Sequence, residues 1–224
     1  MQFPFRPSMV LIDLDGTLVD SVPDLSACID TMMARLGRPP CGEAAVRQWV
    51  GNGVERLVAR ALIGALDGEP DAADLERALP IFLDLYAEQV SARSVLYPGV
   101  REGLDLLCGR GYRLGCVTNK AARFTEPLLQ AVGIRKAFEL VIGGDTLPEK
   151  KPSPLPLLHA AEHFGIEPAA SLMLGDSVSD VRAARAAGFG IICVSYGYNH
   201  GDDIRHAEPD AVIDAFPELG ELLA

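Results

Sequence analysis

The chain has 224 residues, 49% of them hydrophobic, and a formal net charge of −11. This length suits one large domain or two small ones with an ample core. The acidic balance excludes nucleic acid as the main partner, because phosphate backbones need a basic surface. A small phosphorylated metabolite stays open, since a metal and one or two cationic side chains can meet its charge locally.

Residues 1–9 are broken by Pro4, Arg6 and Pro7, too short and interrupted for a signal peptide. No apolar run approaches the ~18 residues of a membrane span. The five cysteines are odd in number and widely spaced. Cys28, Cys108, Cys116 and Cys193 lie in apolar runs and read as core packing, so no disulfide framework is expected. A reducing cytoplasm is the simplest setting.

The first regular element is a short apolar run, Val10-Leu11-Ile12, followed by Asp13-Leu14-Asp15-Gly16-Thr17. Side chains two apart on an extended chain share a face, so Asp13 and Asp15 can address one space at the strand's carboxyl end. Two unpaired carboxylates there repel each other and are costly to desolvate. A divalent cation removes that cost, and Mg²⁺ suits oxygen ligands. One Asp can then attack an electrophile while the other moves a proton. A calcium loop beginning at Asp13 would need Glu at its twelfth position, where Asp24 stands.

Residues 22–92 read as helical throughout. Leu25, Ile29, Met32, Met33 and Leu36 recur at helical spacing, and Gly37 with Pro39-Pro40 ends that helix. Gly51-Asn52-Gly53 precedes a second amphipathic run with Leu57, Val58, Ala61 and Leu62. Asp71 opens a longer helix carrying Leu79, Phe82, Leu83, Tyr86 and Val90, in which Pro80 predicts a kink or break. The stretch reads as a helical insertion after the first strand.

From residue 95 apolar strands alternate with amphipathic helices. Strands are expected at 113–118, 140–142, 171–174 and 190–194, with a last short one at 211–213. Helices are expected at 100–110, 121–132, 154–164, 178–187 and from 217. This alternation implies an α/β fold, a parallel sheet covered on both faces.

Sites in such sheets lie beyond the carboxyl ends of the strands. The first run ends in Asp13 and Asp15, the second in Thr118-Asn119-Lys120. The third leads through Gly143-Gly144-Asp145 to Lys150-Lys151-Pro152, and the fourth ends in Gly175-Asp176-Ser177-Val178-Ser179-Asp180. Carboxylates, a hydroxyl, an amide and an ammonium together suit phosphoryl transfer. Singly, Thr118 or Asp176 could cap the following helix, and Lys151 could be solvated. Two patterns mislead. His159-Ala-Ala-Glu162-His163 imitates a zinc-protease motif, but Leu155 and Leu158 are expected on the core face, which leaves both histidines on the other side. Gly51-Asn-Gly53-x-x-Arg56 imitates a dinucleotide fingerprint without its third Gly or preceding strand. His200 and His206 fall in a polar segment and are expected in solvent.

Asp13-x-Asp15-Gly-Thr-Leu, Val117-Thr118-Asn119-Lys120, Lys151-Pro-x-Pro154 and Gly175-Asp176-Ser-x-x-Asp180 resemble, in order, the four motifs of the haloacid dehalogenase superfamily of phosphohydrolases. The resemblance implies a Rossmann-like core, residues 1–20 and 93–224, with an inserted helical cap over residues 21–92. It implies that Asp13 forms an aspartyl-phosphate, that Asp15 protonates the leaving group and later activates water, that Thr118 and Lys151 hold the phosphoryl group, and that Lys151 also orients Asp13. Mg²⁺ would sit on Asp13, the Asp15 backbone carbonyl and Asp176, with Asp180 in support. Trp49-Val-Gly-Asn-Gly53, Gly143-Gly144-Asp145 and Tyr196-Gly-Tyr-Asn199 resemble the phosphoglycolate phosphatase group of that superfamily. On that resemblance Asn52 and Gly53 would contact the substrate at the cap–core interface. Asn119 is a further candidate contact, and Arg56 could pair with a substrate carboxylate or lie in solvent. The expected activity is hydrolysis of a small phosphorylated acid, 2-phosphoglycolate first, by a monomer or homodimer. A phosphosugar or pyrophosphate hydrolase, a phosphosugar mutase and a non-catalytic phosphometabolite binder are the alternatives.

Overall fold

A computed structural model describes residues 6–223. The expectation for the amino-terminal segment rests in part on residues 1–5, which lie outside those described.

In chain order the elements are β1 (Met9–Ile12), β2 (Val19–Asp20), α1 (Val22–Arg35), α2 (Glu43–Trp49), α3 (Val54–Ile63), α4 (Ala72–Gln89), β3 (Val95–Leu96), α5 (Val100–Gly109) and β4 (Arg113–Val117). They continue with α6 (Ala122–Ala131), β5 (Leu140–Ile142), α7 (Leu155–Phe164), β6 (Ser171–Gly175), α8 (Val178–Ala187), β7 (Gly190–Val194), β8 (Ala211–Ile213) and α9 (Glu218–Leu222). Six strands form one sheet in the order β5-β4-β1-β6-β7-β8, and every pairing in it is parallel.

Strand alternation divides the core. Val10 and Ile12 of β1 pack with Leu114, Cys116, Leu172 and Leu174 on one face, against Leu104, Leu128 and Phe216. Met9 and Leu11 point the other way, to Met173, Ile191, Leu157 and Ala184. Both faces are covered, so the strands carry apolar residues at nearly every position. β1 lies between β4 and β6, and the connections run outward from it in both directions. That reversal opens a crevice at the carboxyl ends of these three strands.

Helices α1 to α4 pack around a second cluster built on Ile29, Met32, Val58, Phe82 and Tyr86, which Phe124 of α6 and Tyr198 join from the sheet side. The chain leaves for these helices through β2 and returns through β3, and the two strands pair antiparallel, Val19 opposite Leu96 and Asp20 opposite Val95. This ribbon has no signature in the sequence, because two-residue strands are too short to show a period. Asp24, buried near the start of α1, ties the exit to the return. Its carboxylate accepts from Arg93 N at 2.9 Å, Ser94 N at 2.8 Å and Ser94 Oγ at 2.6 Å.

Three expectations are corrected. α4 runs without a break through Pro80. Pro80 and Glu76 are exposed, so water can satisfy the carbonyl that loses its intrahelical donor. The core face of α7 is Leu157, Ala160, Ala161 and Phe164, whereas Leu158 is 40% exposed. The buried stripe is therefore rotated by about two residues from the one read through Leu155 and Leu158. Cys108 is exposed while Cys28, Cys116 and Cys193 are buried, because α5 offers Leu104 and Leu107 to the sheet and turns Cys108 outward.

Candidate active site

Asp13, Thr118 and Asp176 each stand just past a strand of the crevice, and Lys151 is carried in by the loop after β5. Asp13 N donates to Leu174 O at 2.9 Å and Thr118 N to Ile142 O at 3.0 Å, so the sheet ladder extends one bond beyond β1 and β4. The side chains that follow are thereby fixed relative to one another. Asp176 follows β6 just before α8, and its backbone N donates to Asp180 Oδ2 at 3.3 Å.

Lys151 is the centre of charge. Its side chain is fully buried, and Nζ lies 2.9 Å from Asp13 Oδ1 and 2.7 Å from Asp180 Oδ1. It also donates to Val117 O at 2.7 Å. One donor of the ammonium is thus spent on a backbone carbonyl, and its charge stands between two carboxylates. Lys151 therefore stands where it can orient Asp13 and bring positive charge to a phosphoryl group. Thr118 can donate a hydrogen bond to such a group. Its Oγ1 accepts from Lys120 N at 3.2 Å, which leaves the hydroxyl hydrogen for another acceptor.

Asp176 is held by Thr17 Oγ1 at 2.8 Å and Tyr198 N at 2.6 Å. Gly16, at φ 91°, and Gly197 pass so close that a Cβ on either would strike the Asp176 carboxylate. Asp180 closes a capping box at the start of α8. Its Oδ2 accepts from Ser177 Oγ at 2.7 Å and Ser177 N at 3.1 Å. Burial pushes the Asp13 carboxyl up to about 6; Lys151 acts against this and Asp180 with it. Burial, then Asp13 and Asp180, also hold Asp176 well above the usual carboxylate range.

These shifts signal uncompensated negative charge. Asp13, Asp176 and Asp180 each offer a carboxylate oxygen, all within 4.8 Å of one another. With Asp15 there are four carboxylates against the ammonium groups of Lys151 and Lys120, an excess equal to the charge of one divalent cation. An all-oxygen donor set with that deficit fits Mg²⁺. Asp180 is spent on Lys151 and the α8 terminus, so Asp13 and Asp176 hold most of the unspent lone pairs. The Asp15 carboxylate lies outside this cluster, beside Lys120.

A cavity of about 270 Å³ opens over these groups. Asp13, Asp15, Thr118, Asn119, Lys151 and Asp176 line its wall on the sheet side, and residues 50–54 line it from the helical layer. Asn52 and Gly53 are thus brought to the site. Asn52 adopts φ 65°, a region Asn tolerates better than most residues. Its Oδ1 accepts from Arg60 Nη2 at 3.2 Å, and Lys150 Nζ donates to its carbonyl at 2.9 Å. Asn119 donates through Nδ2 to Lys151 O at 2.9 Å.

Arg56 is not brought in. Its guanidinium turns away to Glu69 at 2.7 Å and to the carbonyls of Gly68 and Leu66. Arg60, one turn later and buried, braces the loop instead, donating to Trp49 O at 2.6 Å. His200 also departs from expectation. Its Nδ1 sits 2.9 Å from Gln48 O of α2, and the ring lines the cavity. Lys120 was legible only as part of a motif. Its Nζ lies 3.1 Å from Asp15 Oδ2 and 2.5 Å from the hydroxyl of Tyr86 on α4. No local pattern marks Tyr86 for this, since its spacing is that of an ordinary core residue.

The family model of haloacid dehalogenase-like hydrolases matches residues 7–188. A phosphoglycolate phosphatase of Nitrosococcus oceani is 64% identical over 219 residues, covering 98% of this chain and 97% of its own. One of Nitrosospira multiformis is 46% identical over 223 residues, with 100% and 98% covered. Among solved structures, a predicted phosphoglycolate phosphatase from Haemophilus somnus superposes with a TM-score of 0.92 at 35% identity, over 99% of this chain and 100% of that one. The CbbY protein of Rhodobacter sphaeroides, solved in complex with phosphate, gives 0.74 at 29% identity over 96% of both chains.

Proposed function

The chain belongs to the haloacid dehalogenase-like hydrolase family, and from that premise we propose that this phosphomonoesterase converts 2-phosphoglycolate and water to glycolate and phosphate through an aspartyl-phosphate on Asp13. The observation that carries this reading is the shared cavity, in which Asp13 and Asp15 face the loop at residues 51–53. Its 270 Å³ falls below the ~300–1,000 Å³ of pockets for drug-sized ligands, which favours a small substrate.

Asp13 attacks phosphorus as the bond to the ester oxygen breaks, and Asp15 gives its proton to that oxygen, releasing glycolate. Water then attacks phosphorus and yields its proton to Asp15, the bond to Asp13 breaks, and phosphate leaves with Asp15 ready to act again. Lys151 holds one oxygen of Asp13 and leaves the other to attack. Thr118 Oγ1 donates to a phosphoryl oxygen. Mg²⁺ held by Asp13 and Asp176, with Asp180 in support, would neutralise charge so that one anion can approach another. Residues 21–92 act as a cap whose 50–54 loop closes one wall and limits bulk water. Arg182 has no ion-pair partner among the described residues and lines the same cavity, a cation suited to the substrate's carboxylate.

A phosphate-release panel of 2-phosphoglycolate, phosphosugars, phosphoserine and pyrophosphate tests the assignment. The highest kcat/KM is expected with 2-phosphoglycolate. A flat or sugar-favouring profile rejects this substrate.

A further inference from the structure

Tyr86 and Lys120 form a path from the helical layer to the proton-transferring carboxylate. Lys120 Nζ spans both oxygens of Asp15, at 3.3 and 3.1 Å, and donates to Tyr86 Oη at 2.5 Å. Tyr86 has no exposed surface and does not line the cavity, so whatever it does for the reaction passes through Lys120. The lysine backbone is pinned at the end of β4, where Lys120 N donates to Thr118 Oγ1 and Lys120 O accepts from Gly144 N at 2.8 Å. Its ammonium is left to take its direction from the two side chains it bridges. The Tyr86 ring is fixed in turn, 5.6 Å from Phe82 and 5.0 Å from Phe124 between centroids. Phe124 belongs to α6, beside the sheet, so this packing joins the two layers.

A carboxylate that must meet the ester oxygen in one step and a water in the next depends on a fixed orientation. Asp15 follows β1 and has its own backbone restraint, yet no other cation lies within ion-pair distance of it among the described residues. We propose that Tyr86 is a positioning residue for Asp15, holding the Lys120 ammonium in the place where it orients that carboxylate for proton transfer, so that the seating of α4 governs the acid–base step. The inference rests on the assignment of Asp15 as acid and base made above.

Single-turnover release of the leaving group isolates the first step. Glycolate leaves 2-phosphoglycolate as an alkoxide that needs a proton, whereas p-nitrophenolate leaves p-nitrophenyl phosphate without one. Tyr86→Phe keeps the ring and removes only the hydroxyl. It is expected to slow glycolate release by roughly tenfold or more, the weight of a hydrogen bond to a charged group. Release of p-nitrophenolate stays within about twofold, and KM is unchanged, because the hydroxyl touches neither substrate. Asp15→Asn gives the same selectivity, larger. Phe82→Leu, which disturbs the packing of the same helix, is expected to move both rates together. If Asp15→Asn slows both substrates equally, the acid assignment falls and the inference with it. If Asp15→Asn is selective and Tyr86→Phe is not, the positioning role alone falls. Matching selectivity from Phe82→Leu also overturns it, since packing would then suffice.

Discussion

Replacing Lys151 with methionine leaves Asp13 and Asp180 buried without the cation that stands 2.9 and 2.7 Å from them. Methionine nearly preserves the volume, so the cost is electrostatic. Removing one partner of a buried ion pair costs about 3–5 kcal/mol, and the pair here has two acids on one ammonium. The deficit depends on pH in a direction set by Asp13. Burial already raises its carboxyl from 3.8 to about 6, with Lys151 as the largest opposing influence. A carboxyl raised on folding stabilises the folded state fully below its ordinary pKa, and that contribution is lost as pH climbs through the folded value. In the parent protein the rise corresponds to roughly 3 kcal/mol lost between about pH 4 and pH 6. Without Lys151 the folded value moves higher and the loss continues above pH 6. Chemical denaturation in chelator at pH 5 and pH 8 measures this. The variant is expected to trail the parent by about 3–5 kcal/mol at pH 8 and by clearly less at pH 5, with turnover abolished. A deficit of equal size at both values, or none at pH 8, would refute the electrostatic account of this residue.

Three further perturbations follow from the same geometry. Mg²⁺ at about a hundredfold its Kd should stabilise the chelator-treated protein by about 2.7 kcal/mol, or roughly 5–11 °C in Tm for a chain of this size; a melting curve indifferent to the metal would remove it from the Asp13–Asp176 cluster. Gly16→Ala places a Cβ against the Asp176 carboxylate and the Tyr198 ring at a φ of 91°, so kcat should collapse together with a lowered Tm, and a variant with parental kinetics would show that this turn has slack. Asp24→Ala strips the amides of Arg93 and Ser94 of their buried acceptor, costing about 1–3 kcal/mol by denaturant titration, with the loss of a few tenths or less counting against the tie between exit and return strands.

Much of this protein is written locally in its chain. The six strands of the main sheet are short apolar runs, and Asp13, Thr118 and Asp176 each follow such a run directly. Asp13 and Asp15 share a face because extended chain repeats every two residues, and Asp180 caps α8 because its spacing from Ser177 is that of a capping box. Such relations need only backbone geometry over a few residues. Arg56 and Arg60 stand one turn apart on the same helix, and spacing alone cannot say which of them braces the 51–53 loop. The packing of α3 against its neighbours decides that, turning Arg60 inward and Arg56 toward Glu69. The same holds for Leu158, which periodicity placed in the core and the orientation of α7 placed outside. His200 reaches Gln48 across 152 positions, and Tyr86 meets Lys120 across 34. These contacts join the helical layer to the sheet, and only the closing of one layer on the other brings them within reach. The chemistry at the strand ends was therefore legible in the sequence, while the means of orienting it came from tertiary packing, because side-chain direction on a helix depends on what the helix is packed against.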